Sequence, residues 1–168
     1  MERLWAPWRM AYIEQGEEEG CIFCLELTPS SMEDKLVLCG EKDTLVMLNK
    51  FPYNNGHLLI APRRHVAELA DLNPREWWKL SLALKESLSI LKAVVNPEGF
   101  NLGMNLGASA GAGVAAHLHY HLVPRWKGDT SFMSALADVR VIPEHLKQTY
   151  AKLAPHFRDF SQRLKDSC

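Results

Sequence analysis

Net charge, cysteine and long apolar runs are all scarce in this chain of 168 residues. Nineteen basic residues nearly balance twenty acidic ones, so the net charge of -1 provides no basic footprint for long nucleic acid. Four cysteines in a chain of this size do not make a disulfide scaffold. No segment reaches the roughly 18 apolar residues that a membrane helix needs. These absences exclude long-nucleic-acid binders, disulfide scaffolds and membrane-spanning proteins.

The beginning of the chain carries charges throughout and lacks an apolar core followed by a small-residue cleavage site. We therefore expect a soluble, cytoplasmic protein. A chain of this length most simply forms one domain, and it buries roughly 70% of its unfolded surface without needing a covalent or metal staple for size alone.

Alternating apolar residues bounded by turn residues predict five strands. The predicted strands cover 35–40, 44–49, 57–62, 100–106 and 116–124. Between 74 and 95, apolar residues recur at steps of three or four, which predicts a long helix with Asn73 as its cap and Pro74 in its first turn. The segment 141–168 is also helical in pattern. The predicted fold is α+β, a mainly antiparallel five-stranded sheet with one long covering helix and a C-terminal helix.

Three of the seven histidines, His117, His119 and His121, stand at alternate positions of the last predicted strand. A strand would place them on one face, attached about 6.7 Å apart. Three interpretations fit this pattern: a partly exposed polar face, a tri-histidine metal site, or a catalytic histidine oriented by its neighbours.

Two cysteines stand three positions apart in "CIFC", as Cys21 and Cys24. Such a pair supplies two thiolates on one turn, and tetrahedral zinc then needs two further nitrogen or sulfur ligands. A turn without metal is the alternative. The histidines that could complete a zinc site are His57, His65, His117, His119 and His121.

Two polar segments suit ligand contact. Residues 107–113, "GASAGAG", match neither a dinucleotide fingerprint nor a P-loop. Their missing side chains would let a ligand or backbone amides approach the histidines, although they equally suit a flexible connection. Residues 49–57 join two strands, and their amides either face a ligand or only make the turn. Phe51 and Tyr53 in that segment fit packing or base stacking.

The stretch "HLHYHLV" resembles the signature of the histidine-triad (HIT) nucleotide-binding family, and "PYNNGHLLIAPRRH" and "NLG" are similar to its neighbouring elements. Four further motifs resemble the bacterial diadenosine-tetraphosphate phosphorylase-like branch of that family. These motifs are "LWAPWRMAYI", "CIFC", "AGAGVAAHLHYHLVPRW" and "KGDTSFM". The resemblance covers nearly the whole chain. It implies a single HIT-like domain over 1–168, with an N-terminal extension over 1–30.

The resemblance also implies roles for individual residues. His119 would attack the α-phosphorus of a nucleotide to form a nucleotidyl-histidine, His121 would contact phosphate oxygens, and His57 would support the triad. Relatives often carry glutamine and then serine or threonine where this chain has Gly113 and Val114, so the phosphate contacts of those side chains either come from backbone amides here or are missing. Asn105 matches the family's phosphate contact if one loop residue is inserted. The implied substrate contacts are Asn49, Phe51, Asn105, Gly111, Gly113, His121 and Trp126.

The implied cofactor is one structural zinc per chain, held by Cys21, Cys24, His65 and His117. The implied reaction uses inorganic phosphate to split diadenosine tetraphosphate into ADP and ATP. Two alternatives remain open: a hydrolase of dinucleoside polyphosphates or AMP conjugates, and a non-catalytic nucleotide sensor. The resemblance further implies a homodimer formed around the long helix and an edge strand. From the balanced charge and the lack of a long apolar run, we expect no long nucleic acid and no membrane as partner.

Overall fold

The computed structural model describes residues 20–129 and 144–166. Five strands form one antiparallel sheet in the order β1-β2-β3-β5-β4, which confirms the predicted α+β class. The strands are β1 Val37–Gly40, β2 Thr44–Leu48, β3 Leu58–Pro62, β4 Gly99–Gly103 and β5 Tyr120–Arg125. The first motif of the predicted N-terminal extension and most of "KGDTSFM" lie outside the described residues.

Three α-helices accompany the sheet in the described part of the chain. They are α1 Pro29–Asp34, α2 Pro74–Val95 and α3 Leu146–Asp166. The predicted bounds of α2 agree with the structure because both ends are set locally. At the start, the Asn73 side chain accepts the Glu76 N–H and the Glu76 side chain accepts the Asn73 N–H; at the end, Asn96 adopts the left-handed conformation. Among the described residues, no helix has the length and apolar character to cross a membrane.

Both faces of the sheet are covered, which explains why β2 and β3 read as continuous apolar runs. Every residue of these two strands is buried. One face packs against α2 and α3 through residues such as Val46, Leu48 and Ile60. The opposite face carries Leu45 and Leu59 and is covered by the segment that contains the two cysteines. We call this second side the cysteine face.

Two predicted strand bounds are wrong. The triad strand was expected over 116–124 but begins at Tyr120, so of the three histidines only His121 lies within β5. The β3–β5 ladder stops there because Pro62 has no N–H to donate and its carbonyl oxygen accepts from His117 Nε2 at 2.9 Å. The strand expected over 100–106 ends at Gly103, because β5 offers few partners beyond His121.

Candidate active site and metal centre

Strand register brings three candidate functional side chains to the cysteine face. His121 pairs with Leu59, whose side chain belongs to that face. Side chains two positions apart share a face, which places His57 and His119 beside His121. Nε2 of His57 lies 3.0 Å from Nδ1 of His121, and the rings of His119 and His121 meet edge to face with centroids 4.9 Å apart. The three histidines form one cluster across β3 and β5.

Backbone contacts fix which nitrogen of each clustered histidine carries the proton. The Tyr53 N–H donates to Nδ1 of His57 at 3.0 Å, so the proton of neutral His57 is on Nε2. That Nε2–H donates to Nδ1 of His121. His121 therefore carries its own proton on Nε2. The result is a directed chain of hydrogen bonds that starts at the backbone of Tyr53 and ends with a donor on His121.

His119 is held as a neutral imidazole. Its Nδ1–H donates to the carbonyl oxygen of His117 at 2.8 Å, which leaves the lone pair on Nε2. The side chain is almost fully buried, and its ring packs on Phe23 with centroids 4.9 Å apart. Burial lowers the pKa of His119 below its ordinary value of 6.5, against the opposing effect of the hydrogen bond to His117. A neutral imidazole with one pinned N–H is the form that attacks an electrophile.

His121 is also neutral near pH 7. Burial, followed by the neighbouring His119, lowers its pKa to about 4. A neutral His121 donates through Nε2 but adds no positive charge to the site.

The cysteine pair meets two histidines next to this cluster. Cys21 Sγ lies 3.2 Å from Nδ1 of His117, and Cys24 Sγ lies 3.2 Å from Nδ1 of His65 and 3.6 Å from Nδ1 of His117. One ligand atom from each of the four residues lies within 4.8 Å of all the others. Zinc binds sulfur at about 2.3 Å and nitrogen at about 2.0–2.1 Å. The ligand atoms around one zinc ion are therefore separated by distances similar to those between these four residues.

The orientation of His117 supports the fit of a metal to this group. Its Nε2–H donates to the Pro62 carbonyl oxygen, which turns the lone pair of Nδ1 toward the two sulfurs. Burial, followed by the hydrogen bond and the electrostatic interaction with Cys21, raises the pKa of Cys24. A cation beside the two sulfurs would favour their thiolate forms. His119 and His121 do not join this group in the described part of the chain.

Two consecutive arginines anchor the segments that carry these ligands. Arg63 Nη2 donates to the Leu25 carbonyl oxygen at 2.8 Å, which joins the end of β3 to the residue after Cys24. Arg64 binds both carboxylate oxygens of Glu76 at 2.7 and 2.8 Å. The Arg64 contact lowers the pKa of Glu76 to about 2, well below 4.5. The chain immediately before His65 is therefore tied to the rest of the fold.

A cleft of about 240 Å³ opens beside His121, between the Tyr53 loop and β4. Its lining consists of Tyr53, Asn101, Leu102, Gly103, Met104, Asn105, His121 and Val123. The Tyr53 ring is 47% exposed and lies over His57 and His121, with centroids 4.8 and 5.8 Å away. The side-chain amide of Asn105 reaches the Gly111 carbonyl oxygen at 3.4 Å. Two of the expected substrate contacts, Asn105 and His121, thus line this cleft.

The other expected substrate residues have different surroundings. The Asn49 side chain contacts Nδ1 of His57 at 3.3 Å and accepts the Phe51 N–H at 2.9 Å, so it holds His57 in place beside the triad. Gly111 caps a short turn with a φ of +82°. The Trp126 indole N–H donates to the Asn96 carbonyl oxygen at the end of α2, which directs it toward that helix. Gly113 lies in the loop before the triad.

Sequence reasoning assigned no role to Phe23, Arg63 or Arg64. Phe23 is an apolar residue between two cysteines, and that placement is the signal that it packs under the ligand loop. The arginines carried no comparable signal, because their partners lie in segments distant along the chain.

Comparison with known proteins supports the resemblance. The HIT domain family model matches residues 31–128. An AP-4-A phosphorylase of Mycobacterium tuberculosis is 38% identical over 162 residues, which is 92% of this chain and 83% of the relative. A bis(5'-nucleosyl)-tetraphosphatase (asymmetrical) of Schizosaccharomyces pombe is 33% identical over 90 residues, covering 54% of this chain and 49% of the relative.

Solved structures share the fold. A hypothetical histidine triad nucleotide-binding protein from Sulfolobus tokodaii has a TM-score of 0.61 at 27% identity, covering 86% of this chain and 94% of the other. A Zn-bound histidine triad family protein from Mycobacterium smegmatis has a TM-score of 0.64 at 22% identity, covering 86% and 97%. The matched family domain includes the triad, whereas the two cysteines and α3 lie outside it. The match to the HIT domain model and the similarity of nearly the full chain to the mycobacterial phosphorylase show that this chain belongs to the HIT family.

Proposed function

We propose that this protein is a nucleotidyltransferase that cleaves dinucleoside polyphosphates, converting diadenosine tetraphosphate and inorganic phosphate into ATP and ADP. The observation that carries the proposal is the pinned, neutral imidazole of His119 beside the Nε2–H donor of His121. The 38% identity to a relative named AP-4-A phosphorylase supports this substrate class.

The reaction proceeds by two displacements at one phosphorus atom. Nε2 of His119 attacks the α-phosphorus, the bond from that phosphorus to its bridging oxygen breaks, and ATP leaves. The imidazole becomes cationic as the phosphorus–nitrogen bond forms, and the His117 carbonyl oxygen stabilises its Nδ1–H. An oxygen of inorganic phosphate then attacks the same phosphorus, the phosphorus–nitrogen bond breaks, and ADP leaves. His121 donates its Nε2–H to a phosphate oxygen during both steps.

A hydrolase is the second candidate, favoured by the similarity to the fission-yeast tetraphosphatase. Water would then replace phosphate in the second step and release AMP. A nucleotide sensor would bind the same substrate without turnover, but the neutral nucleophile favours catalysis.

The products distinguish these functions. The protein is incubated with diadenosine tetraphosphate, with and without phosphate, and the products are separated by chromatography. ADP that forms only with phosphate identifies a phosphorylase. AMP that forms under both conditions identifies a hydrolase. The absence of products identifies a sensor.

The covalent step has its own test. A reaction quenched in alkali preserves a phosphoramidate, and mass spectrometry of the tryptic peptide containing residues 117–125 should locate the nucleotide on His119. Because His119→Ala removes the attacking atom and leaves most contacts, turnover should fall by orders of magnitude while binding persists. Near-normal turnover of that variant, or an adduct on another residue, contradicts the mechanism.

We also propose that Cys21, Cys24, His65 and His117 hold one zinc ion per chain. Two sulfurs and two nitrogens complete a closed tetrahedral set, so a bound zinc supplies folding stability and offers no open catalytic position. Metal analysis of untagged protein purified without added zinc should find about one zinc per chain. A Cys24→Ser variant that keeps all its metal and its melting temperature excludes this ligand set.

We propose a homodimer formed through α2 and the β4 edge. In the described part of the chain, β4 pairs with β5 on one side only, and an unpaired edge favours pairing with another strand. Its Leu102 is 49% exposed, and Trp78 on α2 is 61% exposed. Light scattering at micromolar concentration should give the mass of two chains, and a monomeric mass contradicts the proposal. We also propose a cytoplasmic location, which cell fractionation tests.

A further inference from the structure

The cleft beside His121 and the expected ribose contact, Asn49, lie toward different strands of the sheet. In the sheet order β2-β3-β5-β4, Asn49 follows β2, whereas the cleft is lined by Tyr53 and by residues of β5 and β4. His57 joins the two regions, with Nδ1 3.3 Å from Asn49 Nδ2 and Nε2 3.0 Å from Nδ1 of His121, which lines the cleft. A dinucleoside polyphosphate extends in two directions from the attacked phosphorus. If one nucleoside lies near Asn49, as the proposed function has it, the other must extend toward the cleft.

Beyond His121, which faces the reacting phosphate in the proposed reaction, the chemistry of the cleft suits a nucleoside better than a further phosphate. Apart from the imidazole of His121, the eight lining residues supply an aromatic ring, aliphatic side chains and amides, and none of them is lysine, arginine or a carboxylate. Inorganic phosphate is usually held by cationic donors. A purine instead gains from stacking on an aromatic ring and from hydrogen bonds with amides. The half-exposed Tyr53 supplies such a ring, and Asn101 and Asn105 supply amides to the same lining.

We propose that this cleft binds the nucleoside of the leaving nucleotide, with its base against Tyr53, and thereby selects dinucleoside over mononucleoside polyphosphates. This inference rests on the proposed function. It adds that specificity for the second nucleoside depends on the surface between Tyr53 and β4.

Glycines on β4 allow the cleft to be filled without disturbing the triad. Gly103 pairs with His121 and lines the cleft, and a Cβ built on it meets no atom within 4 Å. Its backbone needs no left-handed conformation, so valine is compatible with the strand. Gly99 lies on the same face of the same strand, pairs with Arg125, has equally open surroundings and is not part of the lining. Gly103→Val therefore fills the cleft, and Gly99→Val is its matched control.

The test compares kcat/KM for diadenosine tetraphosphate and adenosine 5'-tetraphosphate with phosphate present. Both substrates offer the same adenylyl group to His119, but the second lacks the leaving nucleoside. Stacking of one base typically changes affinity by roughly 5- to 100-fold. Gly103→Val should lower the preference for the dinucleoside by on the order of ten-fold, and Gly99→Val should preserve it. Tyr53→Leu should lower the same ratio, whereas Tyr53→Phe, which keeps the ring, should maintain it.

Equal losses with both substrates, or an unchanged ratio in Gly103→Val, overturn the inference. A binding measurement separates this failure from failure of the proposed reaction. Calorimetry on His119→Ala protein compares the same two ligands without turnover, with and without the added Gly103→Val change. Tighter binding of the dinucleoside that Gly103→Val abolishes supports the cleft even if no products form. Equal affinity of His119→Ala protein for both ligands refutes it.

Discussion

Replacing Phe23 with alanine tests how the cysteine segment supports the triad. The ring is fully buried on the cysteine face, with its centroid 5.0 Å from that of His117 and 4.9 Å from that of His119. A buried phenylalanine removes roughly 150–250 Å² from water, and its truncation to alanine typically costs about 3–5 kcal/mol. For a chain of this length, about 2–4 °C is lost per kcal/mol, so the melting temperature should fall by roughly 6–20 °C.

Phe157→Ala is the matched control. This phenylalanine is equally buried, but it lies on α3 against the opposite face of the sheet. Thermal unfolding followed by circular dichroism should show similar losses for the two variants. Turnover is then measured at a temperature well below both midpoints. Phe157→Ala should remain active, whereas Phe23→Ala should lose turnover because His119 no longer has the ring that fixes its position.

Two results would refute this reasoning. A Phe23→Ala protein that unfolds within 1 °C of the parent would show that the ring does not contribute to the core. Equal losses of turnover in both variants would show that the effect is general destabilisation. Because the proposed zinc site is adjacent, both variants are compared with zinc in excess and again after chelation.

Further predictions concern anchoring and protonation. Arg64→Lys loses the bidentate contact with Glu76 and should weaken zinc binding by roughly 10- to 100-fold in a chelator competition. Arg75→Lys alters an exposed ion pair on the helix that carries Glu76 and should leave zinc binding unchanged. Equal affinities of the two variants contradict the anchoring role. Because the folded pKa of Glu76 is about 2, below its ordinary 4.5, its contribution to stability is present above pH 4.5 and is lost as pH falls toward 2; Glu76→Gln should remove that part of the pH dependence in denaturant titrations. Because the pKa of His121 is about 4, kcat/KM should show no loss from protonation of His121 between pH 8 and about 5, and should fall as pH approaches 4. A loss of kcat/KM centred at the ordinary pKa of 6.5, and abolished by His121→Gln, would contradict this low pKa.

The parts of the fold that the sequence predicted best are those controlled by neighbouring residues. The bounds of α2 follow from Asn73, Glu76 and Asn96, all within a few positions of the helix ends. The start of β5 depends instead on Pro62, which is more than fifty positions away and cannot donate to the ladder. Apolar alternation continued through the histidines and gave no sign of this interruption. Strand ends set by a distant residue cannot be read from a local pattern.

The candidate site shows the same division. Alternation predicted that His119 and His121 would be neighbours, and their rings meet edge to face. The C-x-x-C spacing predicted a group containing Cys21 and Cys24, and one group contains both. The spacing left open which histidines approach those thiols, because His65 and His117 reach them from separate segments. The proton positions were equally inaccessible, since the Tyr53 N–H and the His117 carbonyl oxygen determine them.

His117 links the proposed metal centre to the proposed nucleophile. Its Nδ1 faces the two sulfurs, its Nε2–H is held by the Pro62 carbonyl oxygen, and its own carbonyl oxygen accepts from His119. One residue therefore contributes its side chain to the metal group and its backbone to the orientation of the attacking imidazole. A metal at this position would act on catalysis by fixing the backbone of His117, without touching the substrate. This arrangement gives a physical reason for a structural metal next to a triad whose chemistry needs none.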